Sequence, residues 1–175
     1  METQTLIAYI LNHMNGTIRG RVQLQKLIYF CKAFGTTVNA NYKLYIYGPY
    51  SQQVADSLHE GVMDDIFSET KGLISKGTEF DKYFHNLNKE DCLPNPQRIH
   101  DILNTFKDLD INHLEILATT FFIYRQQKSL FGDVDKDNVL DKVRRAKSCR
   151  FTEEQIVNSY NKMEEICLPL AEKYS

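Results

Sequence analysis

Several absences narrow what this 175-residue chain can be. No window approaches the ~18 consecutive apolar residues of an ordinary transmembrane helix. The opening Met1-Glu2-Thr3-Gln4 has neither the basic region nor the apolar run of a secretory signal, so a cytoplasmic protein is expected. Charge of one sign is missing too. A formal net charge of −2 sets up no global field toward nucleic acid or anionic membrane. Tryptophan is absent, and Cys31, Cys92, Cys149 and Cys167 form no CxxC pair. Reduced core thiols are expected rather than a disulfide framework.

The familiar chemical motifs are absent as well. There is no HExxH, no glycine-rich phosphate loop, no GxSxG and no paired-cysteine metal motif. His13, His59, His85, His100 and His113 sit singly, each in a different predicted element. Asp133-Val134-Asp135-Lys136-Asp137-Asn138 imitates the start of an EF-hand loop. Asn138 stands where that loop needs glycine, however, and Arg144 where it needs a bidentate carboxylate. Carboxylates at a helix N-terminus explain the run instead. No catalytic residue, cofactor or metal is assigned, and an enzyme ranks below two binding functions.

What is present centres on Tyr45-Ile46-Tyr47-Gly48-Pro49-Tyr50-Ser51. The pattern predicts a strand over 42–47 that stops at a Gly-Pro turn, with Leu44 and Ile46 on one face and the tyrosines on the other. Gly48 supplies unusual φ, Pro49 forbids it the right-handed helical region, and Ser51 caps the helix behind. Leu6, Ile7, Ile10, Leu11 and Met14 form a helical stripe ahead of it, ended by Asn15-Gly16. A second helix over 20–34 buries Leu24, Leu27, Ile28, Cys31 and Phe34, and sets Arg21, Gln25, Tyr29 and Lys32 on the opposite face. A third helix carries Val54, Ala55, Leu58 and Val62. Strands are expected at 72–75 and 80–84, joined by a Lys76-Gly77 turn.

The order helix, helix, strand, helix, hairpin predicts a winged-helix-like half over 1–91. From 92 the chain reads as helical, opened by Pro94-Asn95-Pro96. Asn112 is expected to cap the helix through Leu117 and Tyr124, which should end near Gln126-Gln127-Lys128. Thr152-Glu153-Glu154-Gln155 is a capping box for the last helix, and Pro169 ends or bends that helix. The expectation is a mainly α single domain, 1–175, with a small β component in its first half and C-terminal helices over 92–175.

Gly20-Arg21-Val22-Gln23-Leu24-Gln25-Lys26-Leu27-Ile28-Tyr29-Phe30 with Tyr47-Gly48-Pro49-Tyr50-Ser51 resembles the YwgA-like family of bacterial and archaeal proteins. Leu140-Asp141-Lys142-Val143 and Phe151-Thr152-Glu153-Glu154-Gln155-Ile156 are similar to that family's ending. A wider likeness extends to the Panacea or SocA-like antitoxins, from which Tyr50-Ser51 departs. The resemblance implies a small cytoplasmic protein that grips another protein, such as a toxin or a component of a mobile-element or defence system.

Arg and Tyr anchor many interfaces, so the expected protein-binding residues are Arg21, Gln25, Tyr29, Tyr47, Gly48, Pro49 and Tyr50. Lys142, Arg144, Arg145, Lys147 and Arg150 form a basic cluster. It could serve its own helix dipole, an acidic partner or nucleic-acid phosphates. The alternative function is a DNA-associated regulator of winged-helix type, but the third helix carries Asp56 and Glu60 and no Lys or Arg. Duplex DNA should therefore bind only in the non-specific range, roughly 10⁻⁴ to 10⁻⁶ M at physiological salt. A titration giving nanomolar, sequence-dependent affinity would overturn this.

Overall fold

The computed structural model describes residues 1–87, 95–147 and 150–174. The chain is mainly helical with two small antiparallel sheets. Helix α1 (Thr3–His13) buries the expected stripe of Leu6, Ile7, Ile10 and Leu11. A short strand β1 (Thr17–Ile18) leads into α2 (Gly20–Ala33). Next come β2 (Lys43–Tyr45), β3 (Gly48–Tyr50) and α3 (Gln52–Met63). A second hairpin, β4 (Phe67–Thr70) and β5 (Leu73–Lys76), precedes α4 (Phe80–Asn86).

The later helices are α5 (Pro96–Phe106), α6 (Ile111–Phe131), α7 (Lys136–Lys147) and α8 (Glu153–Lys162). Helix α8 runs on through a π-helical turn (Met163–Cys167) into α9 (Leu168–Lys173). Pro169 has no N–H to return to the preceding turn, and the wider π turn accommodates it.

Aromatic packing joins α2 to α5 and α6. The Phe30 and Phe106 rings stack 3.9 Å apart, and Phe34 and Phe121 extend the layer. Cys31 and Cys167 are free and buried, while Cys92 and Cys149 lie outside the described residues. At the surface, Asp101 on α5 accepts from Lys173 and Tyr174, tying the end of the chain back to the bundle. Among the described residues, no helix is long and apolar enough to cross a membrane.

Several local expectations need correction. The strand expected at 80–84 is helix α4, because Phe80, Tyr83 and Phe84 have i, i+3, i+4 spacing, and Phe80 stacks on Phe84 at 5.5 Å. The hairpin turn is not Lys76-Gly77 but Lys71-Gly72, whose φ values of +52° and +76° suit the mirror-image turn of tight hairpins. Strands β1 and β4 escape sequence reading because two residues show no period and Phe67-Ser68-Glu69-Thr70 does not alternate. β1 pairs with β5, giving the sheet order β1-β5-β4.

The expected strand over 42–47 is only the first arm of a hairpin. Gly-Pro lies inside the second arm, with Leu44 opposite Pro49 and Tyr45 opposite Gly48. Leu44 and Ile46 are both exposed, and Ile46 lies in the turn between the arms. Ser51 is the N-cap residue of α3 but makes no capping bond; its hydroxyl donates to Gln53 instead.

Asp110, not Asn112, caps α6, accepting from the Asn112 and His113 amides. That helix continues past Gln126-Gln127-Lys128 to Phe131. Pro94 lies outside the described residues, and α5 begins at Pro96 behind left-handed Asn95. The Thr152 and Gln155 capping box is formed as expected.

Helix α3 packs closely on β4 through Gly61. A Cβ there would meet the buried Phe67 ring at 2.3 Å. Gly61→Ala should therefore lower unfolding free energy by about 1–3 kcal/mol through overpacking, measured by urea denaturation. A wild-type midpoint would show that the ring moves aside freely.

Candidate functional site

The face of α2 that reads as polar in the sequence receives the β2–β3 hairpin. Gln25 is buried there and treats Ser51 as a strand neighbour. Its side-chain amide donates to the Ser51 carbonyl at 2.9 Å and accepts from the Ser51 amide at 3.0 Å. One residue on, Lys26 runs inward and its Nζ donates to the Pro49 carbonyl at 2.8 Å. Arg21, a turn earlier, stays exposed and makes a two-pronged bond to Glu69 of β4 at 2.7 and 2.6 Å.

From the other side, α6 supports the turn. Gly48 has φ +84°, and a Cβ there would meet Thr119 Oγ1 at 2.6 Å and Lys26 Cε at 3.3 Å. Glycine is thus required twice, for conformation and for space. Thr119 bonds back to the Glu115 carbonyl. The Glu115 carboxylate, fully buried, accepts from Lys147 at 2.5 Å and from Arg150 at 3.1 Å. Lys147 also donates to the Ile46 carbonyl, and the Arg150 guanidinium lies 4.6 Å from the centre of the Tyr47 ring. Lys26 and Lys147 therefore pin the hairpin by its own carbonyls, at Pro49 and Ile46.

This cluster pairs two cations with one carboxylate and buries Lys26 within reach of its field, in a setting where each unpaired charge is costly. Burial pushes the Lys26 ammonium down to about 7, with Glu115 opposing the shift and Lys147 adding to it. Burial also lowers Lys147, against the pull of Glu115.

Hairpin and α2 enclose an open apolar groove of about 370 Å³. Arg21, Gln25, Tyr47, Gly48 and Tyr50 line it together, joined by Val22, Lys26, Tyr45 and Ile46. Two expected residues lie elsewhere. Pro49 is buried within the second arm of the hairpin, and Tyr29 is buried a turn further along α2 among Phe30, Tyr42, Phe121 and Phe122.

The basic cluster is dispersed. Arg144 pairs with Glu153 and Asp141, Lys147 and Arg150 serve Glu115, and Lys142 and Arg145 remain exposed. Among the described residues, no group of three or more His, Cys, Asp or Glu side chains converges as a metal site.

Sequence reasoning missed Glu115 and the inward course of Lys26. The sequence carries one signal for the latter: Lys26 sits between Leu24 and Leu27, both core positions. Compared with protein-family models, curated proteins and solved structures, the chain matches none.

The Lys26 amine titrates at about 7 in the fold and near its ordinary value of 10.5 when unfolded. Between those values the unfolded chain binds more protons, so stability rises with pH. Burial raises the Cys31, Cys167 and Tyr29 groups, which reverses the trend above their ordinary values. Unfolding free energy should thus increase on the order of 2 kcal/mol from pH 7 to about 9. Lys26→Met should flatten that rise in urea titrations. An equal slope in both proteins would show that Lys26 is not the titrating group.

Proposed function

We propose that this chain is a non-catalytic protein-binding module whose docking surface is the β2–β3 hairpin and its groove. One observation carries the reading: Tyr45 and Ile46 are 59% and 73% exposed at the tip of a hairpin whose backbone is locked from below. Exposed apolar side chains on a fixed frame bind at low entropic cost, and tyrosine beside arginine is a common interface anchor. Arg21, Tyr47 and Tyr50 contribute side chains to the surface, whereas Gln25, Gly48 and Pro49 support its shape. The resemblance to antitoxin-like proteins makes a toxin or defence component the favoured class of partner.

A second reading, a DNA-associated regulator of winged-helix type, draws on the sheet order β1-β5-β4 around α1, α2 and α3. That order supports a winged-helix-like N-terminal half with the β2–β3 hairpin inserted before the third helix. It ranks second because the exposed residues of α3 are Gln52, Asp56, His59, Glu60 and Met63, none of them Lys or Arg.

Native affinity purification followed by binding titration tests the choice. Tyr45→Ala with Ile46→Asp should leave stability within about ±0.5 kcal/mol and weaken the recovered partner by ~2 kcal/mol, about thirtyfold. Lys142→Ala with Arg145→Ala should leave binding intact. The opposite pattern would move the interface to α7 and sink the hairpin reading.

A further inference from the structure

A second groove, separate from the hairpin, lies where α2 meets the distal half of α6. It encloses about 460 Å³, with Tyr29, Tyr42, Phe122 and Leu130 as its apolar walls and Lys32 and Arg125 among its polar members. Tyr29 is 3% exposed, and its hydroxyl is one of the few buried side-chain polar atoms with no hydrogen bond of ordinary geometry among the described residues. Its ring already packs against Tyr42 at 5.3 Å and Phe122 at 5.9 Å. Phenylalanine would keep those contacts without stranding a donor, so the hydroxyl is an expense that the fold alone does not explain.

Two further observations define what could satisfy it. Tyr29 and Arg125 line the groove together. Burial raises the Tyr29 hydroxyl well above its ordinary range, while the Arg125 guanidinium opposes the shift by its charge and by donating to the hydroxyl oxygen. Arg125 is exposed and makes no ion pair among the described residues; its one ring contact is Phe121 at 5.8 Å. Lys32 is already engaged with the Val38 carbonyl at 3.2 Å. A hydroxyl whose proton has no acceptor and a guanidinium with no carboxylate partner among the described residues therefore meet over an apolar wall. Pockets of this size and make-up hold small molecules through a few placed polar groups.

We propose that this groove binds a small organic anion, its head group accepting from the Tyr29 hydroxyl and the Arg125 guanidinium and its apolar body resting on Phe122 and Leu130. The ligand class is a compact carboxylate or sulfonate carrying an aromatic or branched apolar group. This site is independent of the hairpin and of any protein bound there.

The test is a fluorescence titration with 8-anilinonaphthalene-1-sulfonate, alongside the uncharged N-phenyl-1-naphthylamine. The wild-type chain should bind the sulfonate at least tenfold tighter than the neutral analogue. Tyr29→Phe and Arg125→Gln should each weaken the sulfonate about tenfold and change the neutral analogue less than twofold. Tyr29→Phe should also melt at or above the wild-type temperature, because it removes an unpaired buried group. Ile46→Asp, at the other groove, should leave sulfonate binding unchanged. Equal affinity for the two probes, no sulfonate binding, or loss in Ile46→Asp alone would overturn the proposal. A clear drop in the melting temperature of Tyr29→Phe would do the same, by showing that the hydroxyl already has a structural partner.

Discussion

Two lysine side chains hold the most exposed part of this fold from beneath. A hairpin with three-residue arms is at best marginal in water, and β2–β3 has little buried surface of its own. Its permanence comes from Lys26 on the Pro49 carbonyl and Lys147 on the Ile46 carbonyl. Glu115 holds Lys147 in place and opposes the lowering that burial imposes on it, and Arg150 completes the carboxylate's partners. Removing one partner from such a buried pair commonly costs 3–5 kcal/mol, since the other charge is left uncompensated. The hairpin thus depends on α2, α6 and α7 at once, and its apolar tip can stay in solvent without the strand collapsing onto the core.

The same dependence separates two roles within one motif. Gln25, Lys26, Gly48 and Pro49 shape the backbone and are buried. Arg21, Tyr47 and Tyr50 reach the groove that this backbone forms. The short pattern of Gln25, Lys26, Gly48 and Pro49 therefore records a way of holding a hairpin. A chain could keep the frame and change the tip residues Tyr45 and Ile46 to suit another surface.

Much of the helical architecture was legible. The stripe of α1, the buried side of α2 and the capping box of α8 follow from period and cap chemistry, which are local. The misreadings share one cause, that a neighbour distant in sequence decides. Gln25 and Tyr29 read as surface by spacing, yet the hairpin and α6 cover them. Strand β1 exists only because β5 pairs with it. The basic run from Lys142 to Arg150 reads as one patch, but Glu115, on another helix, takes two of its members inside or partly inside. At the site, the residue types were visible while their directions were not. In Leu24-Gln25-Lys26-Leu27 the flanking core leucines hint that the polar pair is covered, but not which backbone groups Gln25 and Lys26 meet.

The Lys147 bond to the Ile46 carbonyl spans 101 residues of sequence. During synthesis at ~5–20 residues per second, the hairpin emerges several seconds before the lysine that secures it. Over that interval the Ile46 carbonyl lacks its lysine, and of the two lysine bonds only that of Lys26 is available to the hairpin. A nascent or prematurely ended chain therefore displays the right side chains without the second of their two anchors. On the proposal that a partner docks on this hairpin, such a partner would also read whether translation reached the α7 helix.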